Sequence, residues 1–182
     1  MKITSTSFEG LLVIEPKVFD DSRGYFYESY NKKSFYESGI DTEFVQDNQS
    51  SSRRGVLRGL HFQKPPFAQT KLIRVLSGVI QDVVVDLRRD QSTFGKHYSI
   101  ELSLATKKQL LVPKGFAHGF LVLSEMADVL YKCDTHYHPE LEGGIRFNDK
   151  QLKIGWTTLH EPLCVAVKDL ALPEFSEVQV LF

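Results

Sequence analysis

A histidine and an arginine interrupt the apolar stretch GVLRGLHFQ at residues 55–63. Ionisable side chains in a core strand cost free energy unless they are paired or used, so Arg58 and His61 indicate a site. A neutral imidazole accepts a proton near neutral pH, which makes His61 a candidate general base. The alternative is a histidine that is simply hydrogen-bonded within the core.

The spacing of these two residues is inconsistent with a regular strand that serves one site. Strict alternation would place Arg58 and His61 on opposite faces. Both reach the same site only if the strand is irregular between them or Arg58 lies near its end, and glycine permits a bulge. We therefore predict an irregularity at Gly59.

Two further polar side chains lie on predicted strands. Lys71 is the first charge after a Pro-Pro corner, and Tyr131 alternates with Val129 and Cys133. Such side chains either serve a site or belong to the ordinary structure of the strand. Their ordinary alternatives are a solvated lysine at a strand end and a buried tyrosine with one hydrogen-bond partner.

The elements that must position these residues are mostly short strands. Runs rich in Val, Ile, Leu and aromatic residues predict strands at residues 11–14, 25–30, 55–63, 71–77, 79–88, 97–102, 109–112, 116–123 and 127–133, with another near 163. Residues 42–45 are predicted to be extended. Asn31 can cap a short helix over residues 32–38. Residues 49–55 are predicted to be a polar turn, and residues 139–144 a loop. This pattern favours an all-β sandwich or barrel, with a partly polar pocket inside.

Composition limits the classes of function. A chain of 182 residues suits one domain, and a net charge of -1 gives no field for nucleic acid or an anionic membrane. The two cysteines, Cys133 and Cys164, form no CxxC motif, which fits a reducing cytoplasm. Neither a signal peptide nor an apolar run of transmembrane length is present, so we expect a cytoplasmic protein.

Seven segments resemble, in order and spacing, the family of dTDP-4-dehydrorhamnose 3,5-epimerases. They are FDDSRGYFYESY, QDNQSSSRRGVLRGLHFQ, KLIRVLSGVIQDVVVDLR, STFGKHYSIELS, LLVPKGFAHGF, ADVLYKCDTHYHPELEGGI and VAVKDLALP. The resemblance implies an all-β, cupin-type double-stranded β-helix, a jelly-roll barrel with a few short helices, over one domain of residues 1–182. It also implies a homodimer, with the N-terminal strands of about residues 1–45 packing on the partner.

The resemblance also implies a reaction. An isomerase of this family converts dTDP-4-dehydro-6-deoxy-D-glucose to dTDP-4-dehydro-L-rhamnose, a precursor of a rhamnose donor for cell-envelope polysaccharide. The C4 ketone acidifies the hydrogens on C3 and C5, so the enzyme needs a base, an oxyanion stabiliser and an acid on the opposite face. No metal or redox cofactor is expected, because the ketone is itself the electron sink.

Roles for four residues follow from the family motifs. His61 matches the base, and Asp169 matches the carboxylate that orients it. Lys71 matches the cation beside the keto oxygen, and Tyr131 matches the acid. Taken alone, Asp169 is equally consistent with a helix N-cap, and a contact across so many residues cannot be derived from sequence.

The resemblance also assigns substrate-binding positions. These are Arg23, Phe26, Glu28, Gln46, Asp47, Asn48, Arg58, His118, Tyr137, Glu142 and Lys168. The arginines and Lys168 would lie near the diphosphate or the sugar, while Phe26 and Tyr137 would bracket the thymine ring. Arg23, Phe26 and Glu28 are expected to come from the partner subunit. By default, charged residues on an edge strand form a solvated face.

Three alternatives remain open. PKGFAHGF has the spacing of a cupin metal half-site, but the HxH pair, His136 and His138, follows it instead of preceding it. A non-catalytic binding module would need the pocket without His61 and Tyr131. A related enzyme could epimerise one carbon only, or act on another nucleotide-linked 4-keto sugar.

Overall fold

The structure is a computed structural model that describes residues 1–179 and 182. Its strands are β1 (Lys2–Ser5), β2 (Leu12–Glu15), β3 (Phe19–Asp21), β4 (Gly24–Phe26), β5 (Gln46–Arg53), β6 (Val56–Gln63), β7 (Lys71–Ser77), β8 (Val79–Asp86), β9 (His97–Ser103), β10 (Gln109–Val112), β11 (Phe116–Val122), β12 (Met126–Cys133), β13 (Glu142–Gly144) and β14 (Cys164–Val165). Helix α1 spans Lys32–Glu37, and α2 spans Val167–Leu170. No helix among the described residues is long and apolar enough to cross a membrane.

The strands form two large sheets and a separate hairpin. The first sheet has the order β1-β2-β10-β7-β12-β5, and the second has the order β13-β6-β11-β8-β9. Pairing is antiparallel except between β14 and β6. The predicted all-β jelly roll is confirmed, with two open sheets in place of a closed barrel.

The main core lies between the two sheets. Ile73 and Val129 from the first sheet and Val84 and Phe120 from the second belong to one buried cluster. Alternation along the strands explains this arrangement, since every second side chain points inward. The core fixes one sheet against the other and thereby sets the geometry of any site between them.

Other segments cover the outer faces. Phe35 of α1 and Ile40 pack on Leu72 and Leu111 of the first sheet. On the second sheet, Leu60, Val83 and Ala117 are covered by Ile145, Leu152 and Phe175, which follow β13 in the chain. The C-terminal third of the chain therefore packs against β6, which carries the histidine.

Several local predictions are confirmed. Asn31 accepts hydrogen bonds from the backbone N–H groups of Lys33 and Ser34, as an N-cap does, and α1 ends just before Gly39. The strand over residues 55–63 and the pair of strands joined at Ser77–Gly78 are also present.

Other local predictions are wrong. Residues 49–55 were expected to turn, but β5 runs to Arg53 because its polar residues pair in unbroken register with β12. The aromatic strand predicted over residues 25–30 ends at Phe26, as the second arm of a hairpin. Residues 139–144 contain a 3₁₀ turn and then β13, which pairs with β6.

The N-terminal segment belongs in part to the chain's own sheet. β2 pairs with β10, and β1 pairs with β2. Phe19, Tyr25 and Phe26, all on the β3–β4 hairpin, are exposed. Packing of this hairpin on a partner subunit stays a prediction.

Candidate active site

A cavity of about 380 Å³ opens between the two sheets. Residues from both sheets and from α2 line it: Gln46, Asn48, Gln49, Ser50, Arg58, His61, Phe62, Gln63, Gln69, Lys71, His118, Gly119, Phe120, Tyr131, Tyr137, Glu142, Ala166, Lys168 and Asp169. Its size lies within the range of small-molecule sites. The four predicted catalytic residues and most predicted binding residues therefore share one cavity.

His61 and Asp169 form a direct pair in this cavity. His61 Nε2 lies 2.8 Å from Asp169 Oδ1, although the residues are 108 positions apart. Asp169 lies inside α2, where Ala166 is the N-cap, so the helix-cap interpretation is wrong. The carboxylate is buried, and the imidazole is one-quarter exposed. This is the geometry of a base whose tautomer and orientation are fixed by a carboxylate.

A bulge at Gly59 brings Arg58 and His61 to the same cavity. The pairing of β6 with β11 shifts register between His118 and Phe120, and Gly59 has φ +115°. Both Arg58 and His61 line the cavity, so the predicted irregularity is confirmed. The Gly59 N–H also donates to Asp169 Oδ2 over 3.1 Å.

Burial lowers the pKa of the His61 imidazole below its usual 6.5. The negative charge of Asp169 and its hydrogen bond oppose this shift. His61 is therefore mainly neutral at pH 7, the state that a general base requires.

Lys71 and Tyr131 face His61 from the other sheet. Lys71 pairs across strands with Cys133, so Tyr131 is its diagonal neighbour on the same face. Lys71 Nζ lies 5.7 Å from the centroid of the Tyr131 ring. The ammonium and the phenol thus occupy one wall, and the imidazole belongs to the opposite sheet.

Burial changes the pKa of both groups. It lowers the pKa of Lys71, an effect that Cys133, Asp82 and Glu142 oppose. It raises the pKa of the Tyr131 hydroxyl above 10, so the phenol keeps its proton at neutral pH. A protonated phenol is the form that can deliver a proton to carbon.

A second imidazole–carboxylate pair lies beside the first. His118 is the cross-strand partner of His61, and its Nε2 lies 2.8 Å from Asp82 Oδ2. Both residues of this pair are buried, and Asp82 Oδ1 has no hydrogen-bond partner in the described structure. Asp82 is not among the residues predicted from the sequence, although its position within the apolar run VIQDVVVD was an available signal.

The Glu142 carboxylate contacts two other residues of the cavity lining, Tyr137 and Lys168. Tyr137 Oη donates to Glu142 Oε2 over 2.8 Å, and Lys168 Nζ lies 3.4 Å from Glu142 Oε1. Burial alone would raise the pKa of Glu142, but Tyr137, Lys168 and His61 together hold it below its usual value. The carboxylate is therefore ionised at neutral pH.

Four predicted binding residues lie outside the cavity lining of the described chain. Asp47 lies between Gln46 and Asn48 but faces away, and its carboxylate binds Lys132. Alternation along β5 explains this position. The other three lie on the N-terminal hairpin or just after it. Arg23 forms an ion pair with Asp21, the Phe26 side chain is exposed, and Glu28 accepts a hydrogen bond from Asn31. That Arg23, Phe26 and Glu28 line the cavity of a partner subunit stays a prediction.

The HxH pair does not line the cavity in the described structure. His138 stacks on Phe67 with 3.9 Å between ring centroids, and its Nδ1 lies 3.1 Å from Glu140 Oε1. Among residues 1–179 and 182, no three His, Cys, Asp or Glu side chains converge as metal ligands would. The second half-site of a metal cupin is thus not assembled by these histidines.

Comparison with known proteins identifies one family. The family model described as dTDP-4-dehydrorhamnose 3,5-epimerase matches residues 5–177. The Escherichia coli K12 enzyme of that name is 49% identical over 157 residues, covering 86% of this chain and 85% of the relative. A crystal structure of the Elizabethkingia anophelis NUHP1 enzyme is 51% identical, with a TM-score of 0.92 and 97% of each chain covered.

A second solved structure was obtained with a ligand. It is a dTDP-6-deoxy-D-glucose-3,5-epimerase from Legionella pneumophila Philadelphia 1, in complex with dTDP-4-keto-L-rhamnose. It is 47% identical to this chain, with a TM-score of 0.92, and the match covers 97% of this chain and 94% of that one.

The two-sheet architecture is that of a cupin-type protein, and its cavity contains an imidazole paired with a carboxylate. A family model that matches nearly the whole chain and relatives of about half identical sequence make the assignment specific. The chain belongs to the dTDP-4-dehydrorhamnose 3,5-epimerase family.

Proposed function

We propose that this chain epimerises C3 and C5 of dTDP-4-dehydro-6-deoxy-D-glucose and forms dTDP-4-dehydro-L-rhamnose. The observation that carries the proposal is the His61–Asp169 pair, which lines the same cavity as Lys71 and Tyr131. A base, a cation and an acid are the three groups that inversion beside a ketone requires.

The reaction begins with removal of a carbon-bound proton. When His61 Nε2–H donates to Asp169, the lone pair that accepts the proton is on Nδ1. The C–H bond breaks, and its electron pair forms the enolate, with the negative charge on the C4 oxygen. Asp169 stabilises the resulting imidazolium.

Lys71 acts on the enolate. An ammonium held in a partly buried wall is worth more against a developing oxyanion than it would be in water, because the local dielectric is lower. Its contribution is selective for the transition state, since the ketone carries far less charge than the enolate.

Tyr131 completes the inversion from the opposite side. Its O–H proton goes to carbon, and the enolate returns to a ketone. Each inversion leaves one proton more on His61 and one fewer on Tyr131, so both residues must exchange with solvent before the next inversion. The second carbon is inverted by the same cycle.

The nucleotide end is assigned to the remaining polar residues. Arg58 and Lys168 supply positive charge for the diphosphate, Gln46 and Asn48 supply amide groups, and Tyr137 supplies a stacking face. Arg23, Phe26 and Glu28 are proposed to complete this end from the partner of a homodimer, in the cytoplasm. The product would serve as a precursor of a rhamnose donor for the cell envelope.

The test is a panel of nucleotide-linked 4-keto sugars followed by NMR. We expect inversion at both carbons of the dTDP-linked 4-keto-6-deoxyglucose and at least tenfold lower kcat/KM with other nucleotides. Inversion at one carbon only would favour a mono-epimerase, and binding without inversion would favour a binding module. Activity that a stoichiometric metal restores would favour the metal-dependent alternative.

A further inference from the structure

Gln63 holds two loops at the cavity by three hydrogen bonds. Its Nε2 donates to the backbone carbonyl of Phe67 and, over 3.0 Å, to that of His136, and its Oε1 accepts from His138 N–H over 2.8 Å. The side chain is 4% exposed. A buried amide that uses both donors and its acceptor oxygen on backbone groups acts as a structural clamp, because no donor is left for a ligand.

The clamp surrounds Tyr137. Gln63 bonds the residues on either side, His136 and His138, while Gln46 Oε1 accepts from the Tyr137 N–H over 2.9 Å. The Tyr137 side chain itself is half exposed and lines the cavity. Its position therefore depends on these backbone contacts and on the hydrogen bond from its Oη to Glu142 Oε2 more than on burial of its ring.

The strand that carries this clamp also carries the base. Gln63 lies two residues after His61 on β6, so alternation places both on the same face. Tyr137 belongs to the loop after β12, the strand of Tyr131. The register of β6 therefore determines both the position of His61 and the position of the loop that contains Tyr137.

We infer that Gln63 is a positioning residue that holds Tyr137 in place for the nucleotide end of the substrate. This inference rests on the proposed function for the identity of the ligand and for the place of Tyr137 at its nucleotide end. Loss of the Gln63 side chain should therefore weaken nucleotide binding but leave proton transfer by His61, Lys71 and Tyr131 intact.

The first test compares Gln63→Met with Gln81→Met. Gln81 is a matched control: it is 8% exposed, its Nε2 donates to Ser99 Oγ and Gly155 O, and its Oε1 accepts from Thr157 N–H, but it does not line the cavity. Calorimetry with dTDP should give at least tenfold weaker binding for Gln63→Met and less than threefold weaker binding for Gln81→Met. At saturating substrate, Gln63→Met should keep kcat within about threefold while KM rises.

A double-mutant cycle distinguishes positioning from general disruption. In a Tyr137→Ala background, Gln63→Met should weaken dTDP binding by less than threefold, because the side chain it positions is already absent. Hydrogen exchange should show faster exchange at residues 134–140 in Gln63→Met, with or without nucleotide. That readout separates failure of the clamp from failure of the proposed function, which would appear as a wild-type protein that binds no dTDP.

Two results would overturn the inference: unchanged dTDP affinity in folded Gln63→Met, or equal losses in the Tyr137 and Tyr137→Ala backgrounds. If Gln63→Met does not fold, Gln63→Glu keeps the size and the acceptor but loses both donors. Uncharged thymidine is then the probe, because a new carboxylate would repel the diphosphate. Wild-type affinity of Gln63→Glu for thymidine would equally contradict the clamp.

Discussion

The backbone N–H of Gly59 donates to Asp169 Oδ2 over 3.1 Å, while the other oxygen of that carboxylate binds His61. The bulge that brings Arg58 and His61 to one cavity therefore also supplies the second donor to the orienting carboxylate. The backbone conformation of β6 at Gly59 therefore helps to set the position of the carboxylate that orients His61.

Replacement of Gly59 should damage stability and activity together. A Cβ at Gly59 would lie 2.6 Å from Gly119 Cα and 2.7 Å from His118 O, at φ +115°. We expect Gly59→Ala to lower the free energy of unfolding in urea by about 2–4 kcal/mol.

Gly39→Ala is the matched control for this substitution. Gly39 also has a positive φ, +85°, but a Cβ there meets no atom within 4 Å. The loss should be about 1 kcal/mol, with activity retained. Equal losses for Gly39→Ala and Gly59→Ala would show that close packing at Gly59 is unimportant.

Asp169→Asn should shift the pH dependence as well as the rate. The carboxylate raises the pKa of His61 against the effect of burial, so its removal should lower that pKa further. The acid limb of kcat/KM, where activity falls as His61 becomes protonated, should move to lower pH. We expect kcat to fall about 10²- to 10⁴-fold, because the imidazole loses its orientation and the imidazolium its counter-charge. A limb that moves to higher pH would contradict this electrostatic account.

Tyr131→Phe should separate proton abstraction from inversion. Without the phenol, His61 can still remove a proton and return a deuteron to the same face. In D₂O we expect exchange at C3 or C5 to persist, while inversion falls at least about 10²-fold. Mass spectrometry of the recovered sugar and NMR of its configuration measure the two rates. Equal loss of both would count against Tyr131 as the acid.

Subunit mixing tests the contribution of the N-terminal hairpin. Arg23 and Phe26 do not line the candidate active-site cavity of their own chain in the described structure, but they are predicted to serve the partner's. An Arg23→Ala/Phe26→Ala double variant mixed with His61→Ala should regain about a quarter of wild-type activity: half the dimers are mixed, and one site in each is intact. No recovery on exchange of subunits would place the hairpin residues outside the site.

Sequence alone predicted the positions that follow local patterns. The histidine on its strand, Lys71 after the prolines, the Asn31 cap and the irregularity at Gly59 were each indicated by residue type and alternation. They could be derived because their determinants lie within a few residues. The turn predicted over residues 49–55 was wrong because pairing with β12, far along the chain, overrides local preference.

The partners of the ring nitrogens could not be derived in that way. Asp169 reaches His61 only because β14 pairs with β6, and Asp82 reaches His118 only because β8 pairs with β11. Gln63 resembles any polar residue that ends a strand, and its function depends on two loops distant in sequence. Local sequence does not determine which distant strands pair, so these contacts could be identified only from the three-dimensional structure.

Incorporation of solvent deuterium by the wild-type and His61→Ala proteins is the decisive measurement of whether His61 is the base. Each would be incubated in D₂O with the dTDP-linked 4-keto-6-deoxyglucose, and C3 and C5 followed by NMR. We expect deuterium at both carbons with the wild type and incorporation about 10³-fold slower with His61→Ala, which should still bind dTDP. Incorporation by folded His61→Ala at the wild-type rate would contradict this assignment of the base.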